Sequence, residues 1–367
     1  MLKEPEGKGD GLWTPDSAST RRAFIRRTAG TFAAVSGGGV LLSACGDDES
    51  GPGGSSTPKT TAGGGSKKLT VVNILPPQLG YTAEYIADID GHFKKEGLSV
   101  TVETARGSAP AIQAILSGTA LLSWVGWLES VIAIADRGAP IMAVGFTGRR
   151  SPLAIVSDKD KPLAKPQDLR GKRIGIPSEG GTSETTLDLL LQSNGISPDD
   201  VPRQVTGFTP GTFELIKRGR IAGFVIGASQ EEQFRETQPD ATFLETADYV
   251  TDGLTYITSK KGLESNREII ASYMRALKAA MTQILNDDGF TDTIKKLRAK
   301  YDFDELKKDS IAKAYIKYIS DSWVVDGEDK LLKTDPAKWN QTYDAAVKIK
   351  AAKGGVDVTK NVAPSLV

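Results

Sequence analysis

Residues 168–184, DLRGKRIGIPSEGGTSE, decide the fold, because this one stretch holds a strand, a glycine-rich turn and the start of a helix. The strand is residues 173–176, the turn 178–183, and the helix runs over 184–194. Upstream, strands are expected at 68–74, 98–103, 121–125, 141–146 and 153–157, with helices at 81–96, 109–117 and 130–137. Downstream, 201–206, 222–226 and 255–258 read as strands around a helix near 212–218. From 266 onward the pattern turns helical, with amphipathic stretches at 267–285, 292–301 and 335–352. Strands alternating with helices favour parallel sheets covered by helices, so the fold class is α/β. The strand at 173–176 opens a second set of such units, and with it a second lobe.

At 367 residues, 39% apolar and 25% charged, the chain is long enough for two domains or one bilobal one. Lys plus Arg and Asp plus Glu number 46 each, so no basic excess draws it to nucleic acid. The single Cys and single His exclude an internal disulfide and speak against a Cys/His metal site or a His-based triad. No metal, no cofactor and no catalytic residue is expected. His92, in a helix-ending Gly-x-Phe segment, reads as structural.

The N-terminal segment is an address rather than a fold. Residues 20–26 (TRRAFIR) resemble the twin-arginine export signal, with Arg21 and Arg22 as its paired bases. The apolar stretch over 31–42 is too short to cross a ~30 Å hydrocarbon core. Leu42-Ser43-Ala44-Cys45 then resembles the bacterial lipobox, which implies cleavage before Cys45 and lipid on its sulfur. Residues 1–44 are therefore expected to be a lipoprotein signal peptide. Residues 45–66, rich in Gly, Ser and Thr, are expected to be a flexible tether. The expected location is outside the cell, lipid-anchored on the outer face of the bacterial cytoplasmic membrane.

Five dispersed segments carry a wider resemblance: 91–98 (GHFKKEGL), 115–118 (ILSG), 135–141 (ADRGAPI), 168–175 (DLRGKRIG) and 195–201 (GISPDDV). In order and spacing they resemble the solute-binding proteins of ABC importers, in the family of nitrate, sulfonate, taurine and thiamine-pyrimidine precursor binders. The resemblance spans about residues 68–285 and implies a two-lobed, type II periplasmic-binding-protein-like fold. Lobe 1 is expected over 67–150 plus 256–367 and lobe 2 over 151–255. Each is a mostly parallel sheet flanked by helices, and two crossing strands near 153–156 and 256–258 form the hinge. It further implies a monomeric, non-catalytic receptor whose partners are a small-molecule solute, ABC permease subunits and the lipid anchor. Where the family usually carries an acid, this chain has Ala120 and Ala222-Gly223.

Candidate solute contacts follow from loops after strands, where α/β sheets bind ligands. Gln78 and Tyr81 follow the first strand, one suited to hydrogen bonding and the other to stacking. Trp124 and Trp127 flank Gly126; strand alternation sends one ring to the cleft and the other to the core, and Trp127 is expected in the cleft. Gly181, Thr182 and Ser183 offer backbone N–H groups and hydroxyls at a helix start, suited to an anion or simply to capping. Glu129, Glu179 and Glu231 fall on expected cleft loops and favour a solute with N–H donors or positive charge, unless Arg106 or Arg149 balances them. Gln230 and Tyr249 to Asp252 are lesser candidates. The solute expected is a nitrogen heterocycle such as a thiamine-pyrimidine precursor or a flavin, with sulfonate, taurine or nitrate as the alternative. A pyrimidine-synthase-like enzyme and a ligand-sensing subunit are readings of other classes.

Overall fold

The computed structural model describes residues 66–367 apart from 152, 178–181 and 208–209. Cys45, Arg21, Arg22, Glu179 and Gly181 lie outside the described residues, as do the signal segment and most of the tether. In chain order the first elements are β1 (Lys67–Asn73), α1 (Thr82–Ile89), α2 (His92–Lys95), β2 (Leu98–Thr104), α3 (Ser108–Ser117), β3 (Leu122–Gly126), α4 (Trp127–Arg137) and β4 (Ile141–Gly148). Next come β5 (Leu153–Asp158), β6 (Ile174–Ile176), α5 (Thr182–Ser193), β7 (Arg203–Val205), α6 (Phe213–Lys217), β8 (Gly223–Gly227), α7 (Ala228–Thr237) and β9 (Ala241–Glu245). The chain ends with β10 (Leu254–Ser259), α8 (Lys260–Leu285), α9 (Thr291–Lys300), α10 (Asp309–Trp323) and α11 (Pro336–Lys348). The helix expected over 81–96 is two helices, broken where Gly91 takes a φ of 70°, a conformation glycine enters at little cost.

The strands make two five-stranded sheets, ordered β2-β1-β3-β10-β4 and β7-β6-β8-β5-β9. Each is mixed. In the first, β2, β1 and β3 run parallel, with Val71 level with Val102 and Leu122, while β10 is antiparallel to both β3 and β4. In the second, β7, β6 and β8 are parallel, and β5 is antiparallel to β8 and β9. The antiparallel strands β5 and β10 are the ones that follow a crossing. The chain passes from the first sheet to the second over 149–152 and returns over 246–253. Thr246 ties the two crossings together, its hydroxyl lying 2.8 Å from Ser151 Oγ and 2.6 Å from the Leu153 carbonyl. Tyr318 on α10 adds a hydrogen bond to the Ser151 carbonyl at 3.2 Å.

Apolar burial divides unevenly. One cluster fills the space between β1, β3, β10 and helices α1, α8 and α10, with Ile86, Leu122, Met274 and Ile316 fully enclosed. A second runs continuously from α4 through α11 into the second sheet, joining Trp127, Phe146 and Trp339 to Ile174, Leu190 and Val225. Helix α11 is thus wedged between α4 and α5, and Gln192 on α5 donates to the Ile349 carbonyl just beyond it at 3.3 Å. A third, smaller cluster packs Phe213, Phe224 and Phe234 on the far side of the second sheet. Among the described residues no helix is long and apolar enough to cross a membrane.

Candidate functional site

The ends of β1, β3, β6 and β8, the two crossings and α10 converge on a cavity of about 1280 Å³. Its position follows from topology: loops at the carboxyl ends of parallel strands open where strand order reverses. The cavity takes Gln78, Tyr81, Glu129, Thr182, Ser183 and Gln230 from among the residues the sequence singles out. Tyr81 is itself buried. Its ring stands edge-on to Trp124 at 5.1 Å, and its hydroxyl is held by the Leu75 amide at 3.0 Å, while burial pushes the phenol well above its usual range. Gln78 accepts from the Tyr315 hydroxyl at 3.3 Å.

Trp127, expected in the cleft, is instead fully buried in the core, 4.3 Å from Phe146 and 6.3 Å from Trp339 between ring centres. The reason is local. The strand ends at Gly126 and Trp127 is the first residue of α4, so strand alternation no longer governs where its side chain goes. Trp124 is the ring that lines the cavity, its indole N–H donating to Thr147 Oγ1 at 2.9 Å. Tyr249 lies partly exposed outside the cavity lining. Arg149, considered as a counter-charge, points away: it is buried against Asp326 at 3.2 Å and the Lys330 carbonyl at 2.8 Å. The cation the cavity receives from that crossing is Arg150, whose guanidinium lies 5.8 Å from the centre of the Tyr318 ring. Arg106 lines it as well. Glu231 is buried in an ion pair with Arg235 and does not line the cavity. His92 Nε2 is 2.9 Å from Gln283 Oε1, outside the cavity.

Two acids meet at the start of α4. Asp252, on the returning crossing, is only 3% exposed, and its Oδ1 accepts from the Gly253 amide at 2.7 Å and the Leu128 amide at 3.3 Å. Burial, reinforced by the charge of Glu129, pushes its carboxyl up to about 8. Both Glu129 oxygens are buried with no hydrogen-bond partner. Burial raises the Glu129 pKa too; the Thr182 hydroxyl stands close enough to offset part of the rise without meeting hydrogen-bond geometry. A third acid, Glu84, is fully satisfied by Asn73 Nδ2 at 2.6 Å, Tyr273 at 2.8 Å and Tyr256. It ties β1, α1, β10 and α8 together in the cavity wall. Among the described residues no cluster of His, Cys, Asp and Glu is arranged to hold a metal.

The site's aromatic members on α10, Tyr315 and Tyr318, were missed in the sequence because a polar helical tail gives no sign that one of its faces reaches a distant cleft. Asp252 carried only a positional hint. Nothing marked Arg150 apart from Arg149.

The family model described as NMT1/THI5 like matches residues 78–288, more than half of the chain. The riboflavin-binding protein RibY of Chloroflexus aurantiacus is 28% identical over 59% of this chain and 62% of its own length. The formylaminopyrimidine-binding protein of Halalkalibacterium halodurans is 22% identical over 73% of this chain and 83% of its own. A 4-amino-5-hydroxymethyl-2-methylpyrimidine phosphate synthase of Candida albicans is 26% identical over 55% of this chain and 62% of its own. The chain therefore spans less than two thirds of RibY and of that synthase. Among solved structures, the alkanesulfonate-binding protein SsuA of Xanthomonas axonopodis pv. citri aligns with a TM-score of 0.62 at 16% identity, covering 81% of this chain and 98% of that one. The fold is that of the periplasmic binding proteins.

Proposed function

Since the chain belongs to the NMT1/THI5-like family, we propose that it is the solute receptor of an ABC importer, capturing a small nitrogen heterocycle of the pyrimidine or flavin kind between its two sheets. The observation that carries this reading is the cavity of about 1280 Å³, walled by Trp124 and Tyr318 and supplied with polar groups by Gln78, Glu129, Ser183 and Gln230. Flat rings supply stacking surface and a few placed polar atoms supply orientation, which is the usual make-up of a small-molecule site. RibY and the formylaminopyrimidine-binding protein support the heterocycle. The division into lobes 67–150 plus 256–367 and 151–255 fits two sheets with crossings at 149–152 and 246–253, so closure around solute would be a hinge motion at those segments. We further propose that the receptor is a monomer, exported, held at the outer face of the membrane by lipid on Cys45, and within tether reach of its permease subunits.

A second reading, capture of a sulfonate-type anion, draws on Arg106 and Arg150 and on the start of α5 at Thr182 and Ser183. A catalytic reading along the lines of the synthase would use reactive His and Lys side chains. Among the described residues the cavity lining includes neither. Thermal-shift measurements on the purified protein with riboflavin, 4-amino-5-hydroxymethyl-2-methylpyrimidine, taurine and an alkanesulfonate test all three. Solute at 100 times its Kd adds about 2.7 kcal/mol, enough to raise the midpoint by a few degrees. A response to the anions alone refutes the heterocycle, and turnover of a bound compound refutes the receptor.

A further inference from the structure

Two unsatisfied polar groups meet at one corner of the cavity. Ser108, the first residue of α3, is 4% exposed, and its hydroxyl has no hydrogen-bond partner; the Glu129 carboxyl has none either, and both residues line the cavity. Gly126 brings them together. A Cβ on it would lie 2.2 Å from Glu129 Oε2 and 3.9 Å from Ser108 Oγ, so only glycine leaves the carboxyl where it is. Buried polar groups are nearly always paired, and two orphans facing the same space mark the place of a missing partner.

Chemistry fixes what that partner must offer. Two adjacent buried carboxyls do not both ionise. Asp252 accepts two backbone N–H bonds, one of them from the first turn of α4, and both favour its charged form. Glu129 is helped only by the Thr182 hydroxyl and its own amide, neither in hydrogen-bond geometry. The groups that act on it are Asp252 from the crossing, the Thr182 hydroxyl from α5 and its own amide; no Lys or Arg is among them. The two carboxyls titrate as one unit, and the proton the pair retains sits on Glu129, whose oxygens no hydrogen-bond donor reaches, giving that side chain one donor and one acceptor side by side.

We propose that Ser108, Gly126 and Glu129 form the subsite that sets specificity for a neutral heterocycle, with Glu129 un-ionised. It donates to a ring nitrogen or carbonyl and accepts from the adjoining N–H, while the Ser108 hydroxyl bonds a third polar atom. The inference rests on the receptor reading and narrows it to solutes that carry such an edge, excluding cations. Gly126→Ala displaces the carboxyl and weakens binding.

Titration calorimetry with 4-amino-5-hydroxymethyl-2-methylpyrimidine and with 5-hydroxymethyl-2-methylpyrimidine, which lacks only the amino group, tests the proposal. The wild-type protein binds the first and not the second. Glu129→Gln keeps a donor beside an acceptor and stays within about threefold, whereas Glu129→Ala loses roughly 100-fold and Ser108→Ala about tenfold. Affinity holds through neutral pH and falls above about pH 8, as the pair loses its proton. If Glu129→Gln, folded by circular dichroism, binds as poorly as Glu129→Ala, the acid is ionised and the proposal is overturned while the receptor reading stands. If Glu129→Ala binds like the wild-type protein, the subsite lies elsewhere. If neither pyrimidine nor riboflavin binds the wild-type protein, both readings fall.

Discussion

Replacing the acid pair outright, as Glu129→Gln with Asp252→Asn, removes a pH dependence of folding whose size follows from the burial of the two groups. In the unfolded chain both carboxyls lose their protons near about pH 4. In the folded protein one proton stays until about pH 8. Between those limits folding takes up a proton, so rising pH destabilises the wild-type protein by about 1.4 kcal/mol per pH unit. From about pH 5 to about pH 8 that amounts to about 4 kcal/mol. Below about pH 4 both states are protonated and the effect vanishes. Glu245, pushed up to about 7 by burial and by Glu231, adds a slope of the same sign to both proteins, so the difference between them is the quantity to measure. Urea unfolding followed by tryptophan fluorescence at intervals across that range gives both slopes. The double variant gains on the wild-type protein as pH rises. Parallel lines would refute the claim that the pair holds a proton in the folded state.

The two tryptophans around Gly126 separate core from cleft. Trp127→Ala costs about 3–5 kcal/mol of stability in urea, because its ring is fully enclosed against Phe146 and Trp339. Trp124→Ala costs clearly less stability and instead weakens solute binding by about tenfold, read by calorimetry; equal losses of stability would contradict the placement of the two rings. Gly253→Ala puts a methyl group 2.3 Å from the Gly148 carbonyl and 2.8 Å from the Trp127 ring. Overpacking of that kind costs about 1–3 kcal/mol, and a thermal midpoint unchanged by this substitution would show that the returning crossing is not packed against the end of β4 and the start of α4.

Most strands were legible because their apolar residues repeat with the right period: 98–103, 141–146 and 153–157 lie within β2, β4 and β5. No element is legible in the sequence between 228 and 245. Helix α7, ASQEEQFRET, shows a single large apolar residue, Phe234, and β9, at the edge of its sheet, buries only Leu244, so neither has a period to detect. Sheet order was beyond reach as well. Nothing local announces that β10 enters between β3 and β4, since that choice is made by packing against residues more than a hundred positions away. The site was legible loop by loop, in Gln78, Glu129 and Ser183, but not where direction mattered. Trp124 against Trp127 and Arg150 against Arg149 are choices of facing between neighbours, fixed by where a strand stops and by which carbonyls happen to be in reach.

The insertion of β10 between β3 and β4, and the wedging of α11 between α4 and α5, also set a timetable for synthesis. An emerging chain that has reached β4 holds β1, β2 and β3 in hand, yet the strand that must join β3 to β4 is still to be made. The helix that closes the apolar seam between the two sheets comes later still. Contacts so distant in sequence form slowly. The nascent polypeptide therefore carries an open sheet edge until β10 is made and an uncovered apolar seam until α11 is made, and such surfaces are prone to associate while they are exposed.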